Sequence, residues 1–102
     1  MPARRGPGSR GILVIDDEDS IRGLLGMVFA QQGLPVWLAR TGEEGEELYR
    51  KHADEIALVL LDVRMPGMDG PHTLAILKEI DADVCCCFMS GDWAPYTEEE
   101  LL

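Results

Sequence analysis

Four short apolar runs along the chain have the length and composition of β-strands. They span Gly11–Ile15, Pro35–Ala39, Ile56–Leu61 and Val84–Met89. Short apolar runs bounded by turn residues are typical of strands that are buried on both faces of a parallel sheet. The second run begins with proline, which is tolerated in an edge strand. We therefore predict four strands.

The segments between these runs carry helical signals. Apolar residues recur at i, i+3, i+4, i+7 and i+8 in the first segment, which predicts a helix over residues 19–32 that stops at Gly33. A Thr-x-x-Glu capping box at Thr41 opens a second helix that reaches about Ala53. Asp69 can cap a third helix over about 71–80. Alternating strands and helices predict a parallel sheet with right-handed crossovers.

Acidic and hydroxyl side chains stand where three of the strands end. Asp16 and Asp17 follow the first strand, Asp62 follows the third and Ser90 follows the fourth. Open α/β sheets bind ligands outside the carboxyl ends of their strands, so we expect the three acids to converge there. Carboxylates packed closely raise one another's pKa unless a cation neutralises them, and oxygen ligands suit a hard ion such as Mg²⁺.

These positions, together with the turn Met65-Pro66-Gly67-Met68-Asp69-Gly70, resemble the receiver domain of two-component response regulators. The resemblance extends from residue 11 to about residue 97. It implies a flavodoxin-like, three-layer αβα fold with a parallel sheet in the order 2-1-3-4. The expected domain organisation is a disordered basic arm over residues 1–10 and a receiver domain, truncated before its fifth strand and fifth helix, over residues 11–102.

The resemblance also implies a role for each site residue. Asp62 is expected to be the phosphoacceptor, which takes a phosphoryl group from a sensor histidine kinase or a phosphotransfer protein. The implied Mg²⁺ ligands are Asp17 and Asp62 directly, Asp16 through water, and the backbone carbonyl of Arg64. The Ser90 hydroxyl is expected to donate a hydrogen bond to the phosphoryl group. Such a domain relays a signal and is not expected to be an enzyme.

Two other function classes remain open at this point. One is a pseudo-receiver that is not phosphorylated and works only as a protein-docking module. The other is a hydrolase with an aspartyl nucleophile, which would need a second acid two residues beyond Asp62, where the sequence has Arg64. Mg²⁺ with a phosphoryl mimic should change the fluorescence of Trp93 in a phosphoacceptor and should leave it unchanged in a docking module.

The sequence departs from the receiver pattern after its fourth strand. Receivers continue for roughly 20–25 residues through a fifth strand, which carries a lysine, and a fifth helix. No lysine follows Lys78, so that role cannot be assigned here. A fragment, a truncated gene and a fold completed by a second copy are all consistent with this, and a Thr97-Glu98-Glu99-Glu100 helix start favours the first two. The fourth strand then becomes an open edge, through which copies of the chain can associate. One face of the sheet also loses half its cover, which would expose the cysteines on that side.

Composition narrows the classes of partner. The net charge of −10 disfavours direct binding to nucleic acid phosphates. The chain has no apolar stretch long enough to cross a membrane and no apolar core after its first arginines, so we expect a cytoplasmic protein without a signal peptide. The consecutive thiols Cys85, Cys86 and Cys87 are poorly placed for mutual disulfides, and we interpret them as small buried apolar groups in a reducing compartment. A redox role is the alternative.

Overall fold

The computed structural model describes residues 10–63, 65 and 67–89, which form four strands and three helices. In chain order the elements are β1 (Gly11–Ile15), α1 (Asp19–Gln31), β2 (Val36–Ala39), α2 (Gly42–His52), β3 (Ile56–Asp62), α3 (Gly70–Ile80) and β4 (Cys86–Met89). All strand pairs are parallel, and the sheet order is β2-β1-β3-β4. The predicted flavodoxin-like fold and its strand order are confirmed. Because the strands are parallel, their carboxyl ends share one edge of the sheet.

The predicted ends of the elements agree with the structure to within two residues. The largest difference is at β4, which begins at Cys86 and not at Val84. The carbonyl of Cys85 already accepts a hydrogen bond from the Val59 amide at 2.9 Å, so pairing with β3 starts just before the regular strand. The basic arm, except Arg10, and the predicted last helix start at Thr97 lie outside the described residues.

Short local signals set the helix ends. Thr41 caps α2 by accepting a hydrogen bond from the Glu44 amide at 3.0 Å, and Asp69 caps α3 by accepting one from the His72 amide at 3.0 Å. After α1 the chain turns at Gly33, whose φ of 79° is easily reached only by glycine. The capping and stop signals in the sequence therefore act where they were predicted.

The core lies between one face of the sheet and the helices α2 and α3. The side chains of Leu13, Ile15 and Leu61 project from this face of the sheet. They pack in one cluster with Tyr49 of α2 and Leu77 of α3. All five side chains are fully buried. This packing fixes the central strands β1 and β3, which carry the acidic residues at their ends.

The opposite face of the sheet is covered only partly by α1, as far as the described residues show. None of the residues of α1 is buried, and Leu24 and Met27 are 56% and 58% exposed. Strand alternation places Cys85 and Cys87 on this side, where both are exposed, whereas Cys86 on the core side is half-buried. The interpretation of the cysteines as buried groups was therefore wrong for Cys85 and Cys87, whereas the expectation of exposed cysteines on the poorly covered face of the sheet is confirmed for these two. All three thiols are free.

None of the described helices has the length and apolar character needed to cross a membrane.

Candidate metal centre

The carboxyl end of β1 presents two neighbouring carboxylates. Asp16 directly follows the strand, and its amide donates a hydrogen bond to the Ala39 carbonyl of β2 at 3.0 Å. Asp16 is only 5% exposed, whereas Asp17 is exposed. The Oδ1 atom of Asp16 accepts a hydrogen bond from the Glu18 amide at 2.8 Å, which orients the carboxylate at the start of α1.

The carboxyl end of β3 presents the third carboxylate. Asp62 is the last residue of the strand and is 8% exposed. The backbone of Gly70, at the start of α3, lies so close that a Cβ atom built there would be 2.5 Å from the Asp62 carbonyl oxygen. The Gly70 amide also donates to the Val63 carbonyl at 3.1 Å. The position of Asp62 is thus set by β1, by β4 and by the tight approach of α3.

Asp16, Asp17 and Asp62 come together as predicted. One oxygen from each carboxylate can be chosen so that the three atoms all lie within 4.8 Å of one another. Two of the three residues are buried and one is exposed, so the cluster has one side open to solvent. Three negative charges in so small a volume repel strongly, and the repulsion must be offset by protons or by a cation.

The electrostatics of Asp16 show this conflict. Burial raises the pKa of its carboxyl, and the neighbouring charge of Asp17 raises that pKa further. The Glu18 amide, the positive charge of Arg22 and a hydrogen bond with Asp62 act in the opposite direction, but the net shift of the Asp16 pKa is upward. A divalent cation between the carboxylates would remove the cost of keeping Asp16 ionised at neutral pH.

The donor set fits a hard divalent cation. All three groups offer carboxylate oxygens, and no thiol or imidazole joins them in the described part of the chain. Mg²⁺ prefers oxygen ligands and usually keeps several waters, which the exposed side of the cluster can accommodate. Asp16, Asp17 and Asp62 therefore form a donor set of the kind that binds such an ion.

Two of the predicted site residues cannot be placed. Arg64, whose backbone carbonyl was expected to bind the ion, and Ser90, whose hydroxyl was expected to contact the phosphoryl group, lie outside the described residues. Met89, which precedes Ser90, pairs with Asp62 in the sheet. Strand β4 therefore ends at the same edge of the sheet as the cluster.

Sequence reasoning missed one residue of the site. The guanidinium of Arg22, on the first turns of α1, donates from Nη1 to the main-chain carbonyl of Asp16 at 2.8 Å and contacts the carboxylate of Asp19 through Nη2. The i,i+3 spacing of Asp19 and Arg22 suggests a helical ion pair. It gives no indication that the same side chain reaches back to the end of β1.

Comparison with known proteins decides the family. The model of the response regulator receiver domain matches residues 12–102, which is nearly the whole chain. The chain belongs to the response regulator receiver domain family. The resemblance found in its motifs is thereby confirmed.

Individual receiver relatives support this assignment. The chain is 37% identical over 80 residues to sporulation initiation phosphotransferase F of Bacillus subtilis, a match that covers 78% of this chain and 63% of the relative. It is 38% identical over 86 residues to the sensor kinase CckA of Brucella abortus, which covers 82% of this chain and 9% of the kinase. The receiver therefore spans less than two thirds of each of these proteins.

A solved structure agrees with the receiver fold. The match is to the complex of CheX and CheY with BeF₃ and magnesium from Borrelia burgdorferi, at a TM-score of 0.77 and 29% identity. It covers 87% of this chain and 65% of the matched chain. Receivers typically bind Mg²⁺ through acidic residues, and this chain has a cluster of three aspartates at the carboxyl edge of its sheet.

Proposed function

We propose that this receiver accepts a phosphoryl group on Asp62 and relays the signal to a partner. The observation that carries the proposal is the convergence of Asp16 and Asp17 with Asp62 at the carboxyl edge of the sheet, within 4.8 Å. A carboxylate so placed has two acidic neighbours that can hold a divalent cation beside it. No other group of three potential metal ligands is found within the described residues.

The proposed reaction is the transfer of a phosphoryl group from a phosphohistidine. An oxygen of Asp62 attacks phosphorus, the P–N bond breaks, and the imidazole leaves with the electron pair. The products are an aspartyl phosphate and a free histidine on the donor. A Mg²⁺ ion held by Asp16, Asp17 and Asp62 would offset the negative charge on the phosphoryl oxygens. The chain's own contribution is to hold Asp62 in place with the carboxylates of Asp16 and Asp17 beside it.

Two further roles follow from family membership. We assign to the backbone carbonyl of Arg64 the place of an additional ligand for the cation. We assign to the hydroxyl of Ser90 a hydrogen bond to a phosphoryl oxygen, which would draw the loop after β4 toward the site. That movement would change the surface that the receiver presents to its partner when Asp62 is phosphorylated.

The proposed donors are a sensor histidine kinase or a phosphotransfer protein, and the proposed compartment is the cytoplasm. The names of two relatives, a sensor kinase and a phosphotransferase, support this class of partner. We also propose that copies of the chain can associate through β4, which pairs only with β3 among the described strands. Neither nucleic acid nor a membrane is proposed as a direct partner, and the receiver is proposed to act as a signal acceptor and not as an enzyme.

The test is phosphorylation by a small-molecule donor. The purified chain is incubated with acetyl phosphate and Mg²⁺, and intact mass spectrometry measures the fraction that gains one phosphoryl group. We expect one group per chain, located on the Asp62 peptide, with no gain in Asp62→Asn or in chelator. Asp69→Asn is the matched control, because asparagine also caps helices well. Modification of Asp62→Asn to the same extent as the native chain would refute the proposal.

The alternative outcome of such tests is a docking module that is not phosphorylated. It predicts that Mg²⁺ with beryllofluoride leaves the amide spectrum unchanged, whereas the phosphoacceptor predicts shifts around Asp16 and Asp62.

A further inference from the structure

Arg22 is a largely buried cation beside the acidic cluster. Its side chain is only 12% exposed, although its partner Asp19 is 83% exposed. An ion pair with so exposed a carboxylate contributes little to stability and does not account for burying a guanidinium. The hydrogen bond from Nη1 to the Asp16 carbonyl, at 2.8 Å, is the interaction that needs Arg22 to be buried.

This hydrogen bond controls the geometry of two carboxylates at once. The carbonyl of Asp16 and the amide of Asp17 belong to one planar peptide group, which also contains both Cα atoms. Fixing the carbonyl therefore fixes the plane from which both side chains project. On the other side, the Glu18 amide holds Oδ1 of Asp16 at 2.8 Å. The guanidinium and this amide together leave the start of the loop little freedom to rotate.

Arg22 also separates the four consecutive acids into two groups. Residues 16–19 are all acidic, yet only Asp16 and Asp17 join Asp62 in the cluster. The Nη2 atom of Arg22 holds the carboxylate of Asp19 on the first turn of α1. One fork-shaped side chain thus bonds the backbone of one acid and the carboxylate of another, which a lysine cannot do with the same geometry.

We propose that Arg22 is a positioning residue for the cation site, which orients the Asp16–Asp17 peptide so that both carboxylates face Asp62. The inference rests on the proposed function, since it concerns the site that would hold Mg²⁺. It does not require Arg22 to touch the ion or the phosphoryl group.

The direction in which Mg²⁺ affinity changes when Arg22 is replaced distinguishes a positioning role from a purely electrostatic one. Removal of a positive charge beside a cation site reduces repulsion, so a charge effect alone predicts tighter Mg²⁺ binding, most strongly at low salt. Loss of a positioning contact predicts weaker binding. Changes to residues that orient metal ligands typically lower metal affinity by about 10-fold to 100-fold. Because Arg22 holds its ligand through the backbone only, we expect a loss of about tenfold.

The test compares Arg22→Met with Arg50→Met in the full chain by calorimetric titration with Mg²⁺. Both variants lose one positive charge, and Arg50 pairs with Glu46 on α2 at 3.0 Å, away from the cluster. Methionine retains much of the apolar stem of arginine. We expect Arg22→Met to weaken Mg²⁺ binding about tenfold at both low and high salt, and Arg50→Met to leave it unchanged. Without Mg²⁺, hydrogen exchange at the Glu18 amide should accelerate in Arg22→Met only.

Arg22→Lys keeps the test decisive if the methionine variant does not fold. It retains the charge, so a charge effect predicts native affinity, whereas positioning predicts an intermediate loss because one ammonium cannot reproduce the fork. Equal or tighter Mg²⁺ binding in Arg22→Met, or native affinity in Arg22→Lys, would overturn the inference and leave the proposed function intact. Absence of Mg²⁺ binding in the native chain would instead overturn both.

Discussion

Asp16→Asn should make the chain more stable in the absence of divalent cations. The change removes one negative charge from the cluster but preserves an oxygen in the place of Oδ1, so the hydrogen bond from the Glu18 amide can persist. The new amide group can also donate to a neighbouring carboxylate. The aspartate at position 16 therefore lowers the stability of the chain when no cation is bound. Its presence is explained by function and not by stability.

The size of the effect follows from the spacing of the carboxylates. Asp16 has two acidic neighbours whose oxygens lie within 4.8 Å. A pair of unit charges at this distance repels by about 1 kcal/mol in water and by about 3 kcal/mol at an effective dielectric constant near 20. Asp17 is exposed, so the lower figure applies to it, and the lost attraction to Arg22 offsets part of the gain. We expect a net stabilisation of about 1 to 2 kcal/mol at neutral pH.

The dependence on pH has a definite sign. Burial raises the pKa of Asp16 in the folded chain, so its contribution to stability is fully present below the unfolded pKa of about 4 and is lost as pH rises through the folded pKa. Below about pH 4 the acid is protonated in both states, and the native chain and Asp16→Asn should be almost equally stable. The difference should grow as the pH is raised through the folded pKa.

Urea unfolding followed by circular dichroism, in chelator, measures this difference. We expect a higher midpoint for Asp16→Asn with an unchanged slope, because the area exposed on unfolding is the same. Addition of Mg²⁺ should stabilise the native chain in proportion to the logarithm of its concentration, and should stabilise the variant less. A variant that is less stable than the native chain at neutral pH, or a difference that does not depend on pH, would refute the reasoning.

Three further predictions concern other parts of the molecule. Gly70→Ala places a Cβ atom 2.5 Å from the Asp62 carbonyl oxygen. It should therefore lower the unfolding free energy by about 1–3 kcal/mol and weaken Mg²⁺ binding. An unchanged midpoint in urea unfolding together with an unchanged Mg²⁺ affinity would contradict this packing. Asp69→Ala removes the cap of α3 and should cost about 1 kcal/mol in urea unfolding, whereas Asp69→Asn should not. Burial raises the pKa of Cys86 to about 11, so a thiol reagent at mildly alkaline pH should label it far more slowly than its two exposed neighbours, and equal rates would contradict this.

The sequence was informative where one physical rule dominates. Short apolar runs predicted buried parallel strands, and parallel strands have their carboxyl ends at one edge. That is why the meeting of Asp16, Asp17 and Asp62 could be predicted from runs that each end in an acid. The caps at Thr41 and Asp69 were predicted for a similar reason, since they depend on residues only three positions apart.

Features that depend on tertiary reach could not be predicted in this way. A long arginine side chain has many reachable partners, and only the packing of α1 beside β1 selects the Asp16 carbonyl for Arg22. The cysteines were predicted in part. The expected loss of cover on one face of the sheet predicted exposed thiols there, but which of the three lie on that face depends on the register of β4 beside β3.

The central claim is that three carboxylates form one cation site in which Asp62 can be phosphorylated. Its most direct test is a crystal structure of the full chain grown with Mg²⁺ and beryllofluoride, which mimics a phosphoryl group. The account predicts beryllium bonded to a carboxylate oxygen of Asp62 and a magnesium ion about 2.1 Å from oxygens of Asp17 and Asp62. Density for the ion at another acidic surface, or an unmodified Asp62 beside an ordered Mg²⁺ at the cluster, would contradict it.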